Sequence, residues 1–214
     1  MNYVNVYFVR HGDKQAKKNY SDIEGQALEL TPLGYTQAQV TGQYLAKSGV
    51  YFTQIISSPY LRCRQTAHTI AASLGREEIT YNASLSERVL HRQDLPKQEA
   101  LANLSRARQD PHWAPAGGES YIDVHRRFDT GLEVYLSGGT CPVPKNILVV
   151  THRKALEVWL GFIFKRTDLL DERTQLDTCS LTVVRCVNGR FRLLNFNDTR
   201  HLEGLGRTKE LLLD

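Results

Sequence analysis

The chain has 214 residues, which is enough for one sizeable domain with its own core and short for two. Hydrophobic residues make up 41% and charged residues 23%, as is ordinary for a soluble globular protein. The net charge of +4 suits an anionic small-molecule ligand, but it is too small and too scattered to indicate a nucleic-acid partner. We therefore expect a single domain over residues 1–214.

The sequence carries no targeting or membrane signal. Its first apolar run is too short for a secretory signal, and no stretch approaches the length of a membrane span. The cysteines form no Cys-x-x-Cys pair and no metal-ligand pattern; they are Cys63, Cys141, Cys179 and Cys186. We expect a cytoplasmic protein with reduced cysteines, without a metal and without a membrane partner.

The first third of the chain alternates strand and helix signals, which predicts βαβ units around a mostly parallel sheet. Residues 3–9 are apolar on both faces, as in a central strand covered by helices on both sides. The polar residues 13–26 predict a loop. Thr31 and Pro32 predict the N-cap and first position of a helix that runs to about Lys47. Residues 54–57 predict a second strand.

The middle of the chain predicts two more helices and an excursion. Ser58-Pro59 predicts a helix start of the same kind, and Gly75 predicts the end of that helix. A short strand is expected within residues 78–82. Residues 83–115 are polar and predict an excursion over the edge of the sheet at which the parallel strands end. One helix is expected within it, over about 99–109.

The last third predicts a long helix, a buried strand and a hairpin. Gly117-Gly118-Glu119-Ser120 is either a turn with a helix cap or a ligand contact, and the long helix after it ends at Gly138-Gly139. Residues 147–150 predict a buried strand, which a heavily buried helix follows. Asn188-Gly189 lies between two strand patterns and is the strongest short hairpin signal.

Basic side chains follow three of the predicted strands. Arg10 and His11 follow the first strand, Arg62 lies in the first turn after the second, and His152 follows a later one. Because the carboxyl ends of parallel strands share one edge, we expect these side chains to converge on an anion. Gly12 is expected to let the backbone approach that ligand closely.

The chemistry of this cluster favours a phosphate ligand. A phosphate monoester carries a charge of about −1.5 to −2 near neutral pH, which two guanidinium groups can balance. A histidine at such a point can be a metal ligand, a base or a nucleophile. The like charges of Arg10 and Arg62 lower the pKa of His11, which leaves a neutral ring with a lone pair and favours a nucleophile.

Six motifs in a fixed order span nearly the whole chain, and any one of them alone is a weak signal. They are Arg10-His11-Gly12, Leu30-Thr31-Pro32-Leu33-Gly34 with Gln37-Ala38, Ser57-Ser58-Pro59 with Arg62 and Gln65-Thr66-Ala67, Gly117-Gly118-Glu119-Ser120, Val150-Thr151-His152, and Asn197-Asp198 with His201-Leu202. The ordered set resembles the histidine phosphatase superfamily, in its phosphoglycerate-mutase-like branch (branch 1).

The resemblance implies a three-layer α/β/α fold and an enzyme that hydrolyses phosphomonoesters through a phosphohistidine. His11 would be the nucleophile. Arg10, Arg62 and His152 would hold the transferred phosphoryl group, with His152 also counted as catalytic. Glu87 would protonate the leaving group and then activate water. The resemblance implies no metal and no other cofactor, and the substrate would be a phosphorylated small molecule, with a phosphoprotein as another class.

Two residues depart from the family pattern, and both are expected at the substrate rim. Arg153 stands where the family usually has a glycine, so it either crowds the pocket or grips a second acidic group on the substrate. Asp13 stands where many members have glutamate, which makes it a second candidate acid beside the preferred Glu87.

Two alternatives to a phosphatase follow from the sequence. One is a phosphoglycerate-type mutase, although the segment after Gly12 lacks the Trp-Asn pattern of mutases and the chain is shorter than typical ones. The other is a phosphate-binding or regulatory protein that has lost turnover, with Arg153 as the cause.

Overall fold

The computed structural model describes residues 3–16, 22–90, 97–136, 144–170 and 176–205. The strands in this part of the chain are β1 Val4–Arg10, β2 Gln54–Ser57, β3 Thr80–Tyr81, β4 Lys145–Thr151, β5 Leu181–Val187 and β6 Arg190–Asp198. They form one sheet in the order β3-β2-β4-β1-β5-β6.

The sheet is mostly parallel. β1 pairs with β4, β4 with β2, and β2 with β3, all in parallel. β5 is antiparallel to both of its neighbours, β1 and β6. The predicted sheet is therefore confirmed, and the carboxyl ends of β1, β2 and β4 lie at one edge.

Helices cover both faces of the sheet. They are α1 Asp22–Gln26, α2 Pro32–Lys47, α3 Leu61–Ser73, α4 Lys97–Gln109, α5 Tyr121–Leu136 and α6 Arg153–Ile163, with short 3-10 helices at Ala83–Leu85, Thr167–Leu170 and Arg200–Leu202. α5 and α6 bury their apolar sides in one core cluster, while α2 and α3 bury theirs in a second. The predicted three-layer α/β/α arrangement is confirmed.

β1 contributes to both core clusters, as its sequence predicts. Val6 and Phe8 pack with the α5 and α6 side, and Val9 packs with the α2 and α3 side. Successive side chains of a strand point to opposite faces, so a strand that is apolar at every position has to be covered twice. The ring of Phe8 lies 5.3 Å from the ring of Trp159, the largest fully buried side chain.

The two predicted helix caps have different outcomes. Thr31 caps α2, because its Oγ1 accepts a hydrogen bond from the amide of Gly34 at 3.1 Å. The prediction that α3 starts at Ser58-Pro59 is wrong by two residues, since Tyr60 is the N-cap. The amide of Ser58 donates to the carbonyl of Val150, which continues the hydrogen bonding to β4 one residue past β2.

The long helix and the hairpin also follow local sequence signals. Ser120 and Asp123 exchange side chain to amide hydrogen bonds of 3.0 and 3.1 Å, which cap α5. Asn188 and Gly189 have φ values of 50° and 73°, which suits the tight turn between β5 and β6.

Some predictions fall partly on other segments. Within residues 13–26 the predicted loop contains the short helix α1, and residues 17–21 lie outside the described residues. Gly138-Gly139 and Cys141 lie outside them too. The single domain over residues 1–214, with its excursion over 83–115, stays a prediction. Among the described helices, none combines the length and the apolar character that crossing a membrane requires.

Candidate active site

The ends of three strands meet at one point of the sheet edge. The register places Arg10 beside Thr151, and the amide of His11 donates to the carbonyl of Thr151 at 3.0 Å. The amide of Ser58, just after β2, donates to the carbonyl of Val150 at 3.0 Å. The backbone of β4 therefore holds the residues that follow its two neighbours.

Arg62 lies at the centre of the cluster, between two histidine rings. Its Nε donates to Nε2 of His11 at 3.1 Å, and its Nη2 donates to Nδ1 of His152 at 2.9 Å. Its Nη1 donates to the carbonyl of Gly25 at 2.7 Å. The ring centroids of the histidines are 5.3 Å apart. The structure thus brings together three side chains from distant parts of the sequence, and all three are buried.

The hydrogen bonds assign a tautomer to each histidine. A guanidinium group only donates, so Nε2 of His11 and Nδ1 of His152 both accept. Nδ1 of His11 lies 2.8 Å from the carbonyl of Gly12 and therefore carries the proton. Nε2 of His152 lies 2.8 Å from Oγ of Ser58 and donates to it. His11 is thus a neutral ring whose lone pair is on Nε2.

Burial and positive charge keep both histidines neutral. Burial, followed by the charges of Arg62 and Arg10, holds the pKa of His11 well below its usual value. Burial and the charge of Arg62 do the same to the pKa of His152. The sequence predicts the direction for His11 from the arginine charges alone, but the loss of hydration is the larger cause.

Arg10 is fixed at both its backbone and its side chain. Its Nη1 donates to the carbonyl of Leu176 at 2.5 Å, and its own carbonyl accepts from the amide of Cys179 at 2.9 Å. Its charge is one of the causes that lower the pKa of His11, after burial and the charge of Arg62.

Glu87 lies against the N-terminus of α6. Its Oε1 accepts from the amides of Ala155 and Arg88 at 3.0 Å each, and its Oε2 faces the amide of Lys154 at 3.5 Å. His152 is the N-cap of the same helix. One helix start therefore positions both the candidate acid and a candidate phosphate ligand, with its positive dipole end toward the carboxylate.

Arg127 on α5 holds the loop that carries Glu87. It donates to the carbonyls of Ser84, Ser86 and Glu87 at 2.7, 2.8 and 3.2 Å. It also pairs with the carboxylate of Glu119 at 2.6 and 3.0 Å. A single arginine on a mostly polar helix face carries no sequence signal, so sequence reasoning missed this residue.

Glu119 closes the other side of that loop. Its Oε2 accepts from the amide of Val89, and its own amide donates to the carbonyl of Val89, both at 2.9 Å. Its carbonyl accepts from Nε of Arg88 at 2.8 Å. Of the two alternatives for the motif at residues 117–120, the helix cap is present at Ser120, and Glu119 adds an anchor that neither alternative included.

Gly12 approaches the protein's own backbone. A Cβ there would lie 2.5 Å from the carbonyl oxygen of Gly34, and a Cβ on Gly34 would clash with the carbonyl of Asp13. The amide of Gly12 donates to Oγ1 of Thr66 at 3.1 Å, and that hydroxyl donates to the carbonyl of Arg62. The packing of the loop after β1 on α2 therefore requires glycine at this position, and the expected close approach to a ligand stays a prediction.

The two residues that depart from the family pattern lie in different parts of the structure. The carboxylate of Asp13 accepts from the hydroxyl of Thr31 at 2.5 Å, so it faces the start of α2. Arg153 is half-buried as the first residue of α6. A role for Asp13 or Arg153 at the substrate rim stays a prediction. Within the described segments, no group of three or more His, Cys, Asp or Glu side chains is arranged to hold a metal ion.

Known proteins share this sequence pattern and this fold. The chain is 25% identical over 210 residues to a broad-specificity phosphatase of Saccharomyces cerevisiae, a match that covers 94% of this chain and 88% of the relative. It is 30% identical over 193 residues to a probable phosphoglycerate mutase of Yersinia pestis, with 84% and 83% covered. A mycobacterial glucosyl-3-phosphoglycerate phosphatase superposes with a TM-score of 0.74 at 23% identity, with 91% and 99% covered.

A match to a family model shows that the chain is homologous to a known family. The model of the histidine phosphatase superfamily, branch 1, matches residues 6–199, which include all four residues of the cluster and Glu87. The predicted family and the predicted enzyme class are confirmed: this chain belongs to the histidine phosphatase superfamily, branch 1.

Proposed function

We propose that this protein hydrolyses phosphomonoesters through a covalent phosphohistidine on His11. The observation that carries the proposal is the state of that ring, which is buried and neutral with its Nε2 lone pair on the guanidinium of Arg62. A lone pair at a cationic site is what nucleophilic attack on a phosphate needs. Membership in the family supports the same reaction.

In the first step the substrate phosphate replaces the histidine rings as acceptor for Arg62. The guanidinium groups of Arg62 and Arg10 then hold the phosphoryl oxygens, and the ring of His152 donates to them once its Nδ1 has taken up a proton, which the negative charge of the phosphate favours. Phosphoryl transfer has a loose transition state, so positioning and charge stabilisation supply most of the catalysis. Nε2 of His11 forms a bond to phosphorus while the bond to the leaving oxygen breaks, and protonated Glu87 gives its proton to that oxygen.

In the second step water replaces the histidine. Glu87, now a carboxylate, takes a proton from water, whose oxygen bonds to phosphorus as the phosphorus–nitrogen bond breaks. Inorganic phosphate leaves, and Nε2 of His11 regains its lone pair. The amides at the start of α6 keep the Glu87 carboxylate in place for both proton transfers.

The substrate we propose is a phosphorylated small molecule. Two relatives are named as phosphatases, one of broad specificity and one for glucosyl-3-phosphoglycerate. A phosphoprotein is the other class, and a panel of phosphometabolites with one phosphohistidine protein separates the two. The cytoplasmic location, with reduced cysteines, is likewise part of this proposal; Cys63, Cys179 and Cys186 are buried.

The test compares His11→Asn with His68→Asn, a change at an exposed histidine on α3. Wild type and His68→Asn should release phosphate from an aryl phosphate and, after a rapid quench at alkaline pH, should show a phosphohistidine in the intact mass and the phosphorus NMR spectrum. His11→Asn should show neither turnover nor label while it keeps its melting temperature. Turnover by His11→Asn would overturn the assignment of the nucleophile.

A mutase is the second candidate, because a relative at 30% identity is named a probable phosphoglycerate mutase. A mutase returns the phosphoryl group of the phosphohistidine to a bound acceptor, whereas a phosphatase gives it to water. Monophosphoglycerate supplied with a bisphosphorylated activator distinguishes them, since interconversion without phosphate release favours the mutase. The intact arrangement of Arg62 between two neutral histidines favours turnover over the third alternative, a phosphate-binding protein that has lost it.

A further inference from the structure

A buried ion pair lies on α6, and the proposed reaction uses neither of its two charged groups. Nζ of Lys154 is 2.8 Å from Oε2 of Glu157, and their side chains are 8% and 0% exposed. Burial raises the pKa of the Glu157 carboxyl, and the charge of Lys154 opposes this. A buried pair of this kind is weak evidence for stability, because the loss of hydration offsets most of the attraction. Stabilisation of the fold therefore does not by itself explain why these two charged side chains are buried here.

The second oxygen of Glu157 leads to the phosphate cluster. Oε1 of Glu157 accepts a hydrogen bond from the amide of Leu176 at 3.2 Å. The carbonyl of Leu176 accepts a hydrogen bond from Nη1 of Arg10 at 2.5 Å. Leu176 is fully buried, so its peptide groups have no contact with water. Glu157 and Arg10 thus hold one residue from its two sides.

The residues after Leu176 are fixed independently. The amide and the carboxylate of Asp177 bond to the side chain of Asn197 at 2.8 and 3.1 Å, and the amide of Cys179 bonds to the carbonyl of Arg10. The amide of Asp177 and the carbonyl of Leu176 belong to the same peptide group, so the bond to Asn197 fixes one side of that peptide. The bond from Glu157 on α6 holds Leu176 from its other side, through the Leu176 amide.

We propose that Glu157, held by Lys154, is a positioning residue for Arg10. The carboxylate fixes Leu176, the Leu176 carbonyl fixes Nη1 of Arg10, and the remaining donors of the guanidinium stay aimed at the phosphoryl site. Lys154 keeps the carboxylate turned toward the Leu176 amide. The inference rests on the proposed role of Arg10 in phosphate binding.

The test uses two double variants that lack both charges and differ in one acceptor. Lys154→Met with Glu157→Gln keeps an oxygen for the Leu176 amide, whereas Lys154→Met with Glu157→Met has nearly the same volume and no acceptor. The measurement is the inhibition constant of inorganic phosphate, together with kcat and KM for an aryl phosphate. The glutamine pair should stay within about threefold of wild type, since a neutral pair of matched shape replaces the buried charges at little cost.

The methionine pair should bind phosphate about tenfold more weakly than the glutamine pair, because the Leu176 amide has lost its acceptor. Its KM should rise more than its kcat falls. Equal inhibition constants for the two pairs would overturn the proposal, even if their melting temperatures differ. Should the methionine pair fail to fold, Glu157→Asp keeps the charge for Lys154 but is one methylene too short for Leu176, and it should show the same rise in KM.

An Arg10→Met variant separates this inference from the proposed function. If Arg10→Met leaves the affinity for inorganic phosphate unchanged, the proposed role of Arg10 is wrong. If Arg10→Met weakens phosphate binding while the two double variants bind alike, the role of Arg10 stands and the positioning role of Glu157 is wrong.

Discussion

Replacing Arg62 with lysine is the sharpest test of the cluster, because the charge stays while the geometry changes. The guanidinium donates in three directions, to His11, His152 and the carbonyl of Gly25. An ammonium group is a compact point charge and cannot reproduce a planar fork. A lysine side chain at this position would therefore satisfy one of the three directions at a time.

The size of the effect follows from the two donors that are lost. Each hydrogen bond from a charged group contributes about 1.5 to 3 kcal/mol, so the loss of two amounts to about 3 to 6 kcal/mol. At about 1.4 kcal/mol per factor of ten, Arg62→Lys should lower kcat/KM by about 10² to 10⁴. The pKa of His11 should change little, because burial is the largest cause of its shift.

The assay is steady-state hydrolysis of an aryl phosphate, with Arg64→Lys as the matched control. Arg64 lies two residues further along α3, where it is exposed. Both variants should keep the melting temperature within a few degrees, and Arg64→Lys should keep full activity. A loss of less than tenfold for Arg62→Lys would refute the reasoning that the fork geometry, and not the charge alone, aligns the phosphoryl group.

Three further predictions test the surroundings of this cluster. Because His11 and His152 have pKa values well below about 6.5 in the folded state and near it when unfolded, the unfolded chain binds more protons as the pH falls below about 6.5. The free energy of unfolding should therefore be highest above that pH and fall below it. Nitrogen-15 NMR should show both rings still neutral at pH 6. A normal titration of either histidine would contradict this prediction. Arg127→Met should lower kcat by about tenfold or more, because the loop of Glu87 loses its anchor, while the inhibition constant of inorganic phosphate stays the same; a change confined to phosphate binding would contradict this. Gly34→Ala should lower the free energy of unfolding by about 1 to 3 kcal/mol in urea melts, because its Cβ meets the backbone of Asp13, and an unchanged midpoint would show that the loop has room.

The sequence predicts those features whose causes are local. The Thr31 cap and the turn at Asn188-Gly189 depend on residues within a few positions, and the two-sided burial of β1 depends on its own alternation. The convergence of Arg62, His11 and His152 follows from parallel strand order, which is itself a consequence of alternating strands and helices.

Features that depend on distant partners escape such reasoning. Ser58 fits the sequence pattern of an N-cap, but its hydroxyl bonds to the ring of His152, 94 residues away. The helix begins after Tyr60 instead. The carbonyl groups that Arg127 binds lie 40 to 43 residues earlier in the chain. The packing against Gly34 requires glycine at position 12, and no local sequence pattern predicts that contact.

The paired hydrogen bonds between Val89 and Glu119 have a consequence for the segment that lies between these two residues. They join both ends of the intervening segment, next to Glu87 on one side and next to the start of α5 on the other. Doubling the length of a closed loop costs only about 0.6 kcal/mol in entropy. We therefore expect changes in the length of the loops there to leave the position of Glu87 nearly unchanged, so that this segment can vary with the substrate while the proposed acid stays in place.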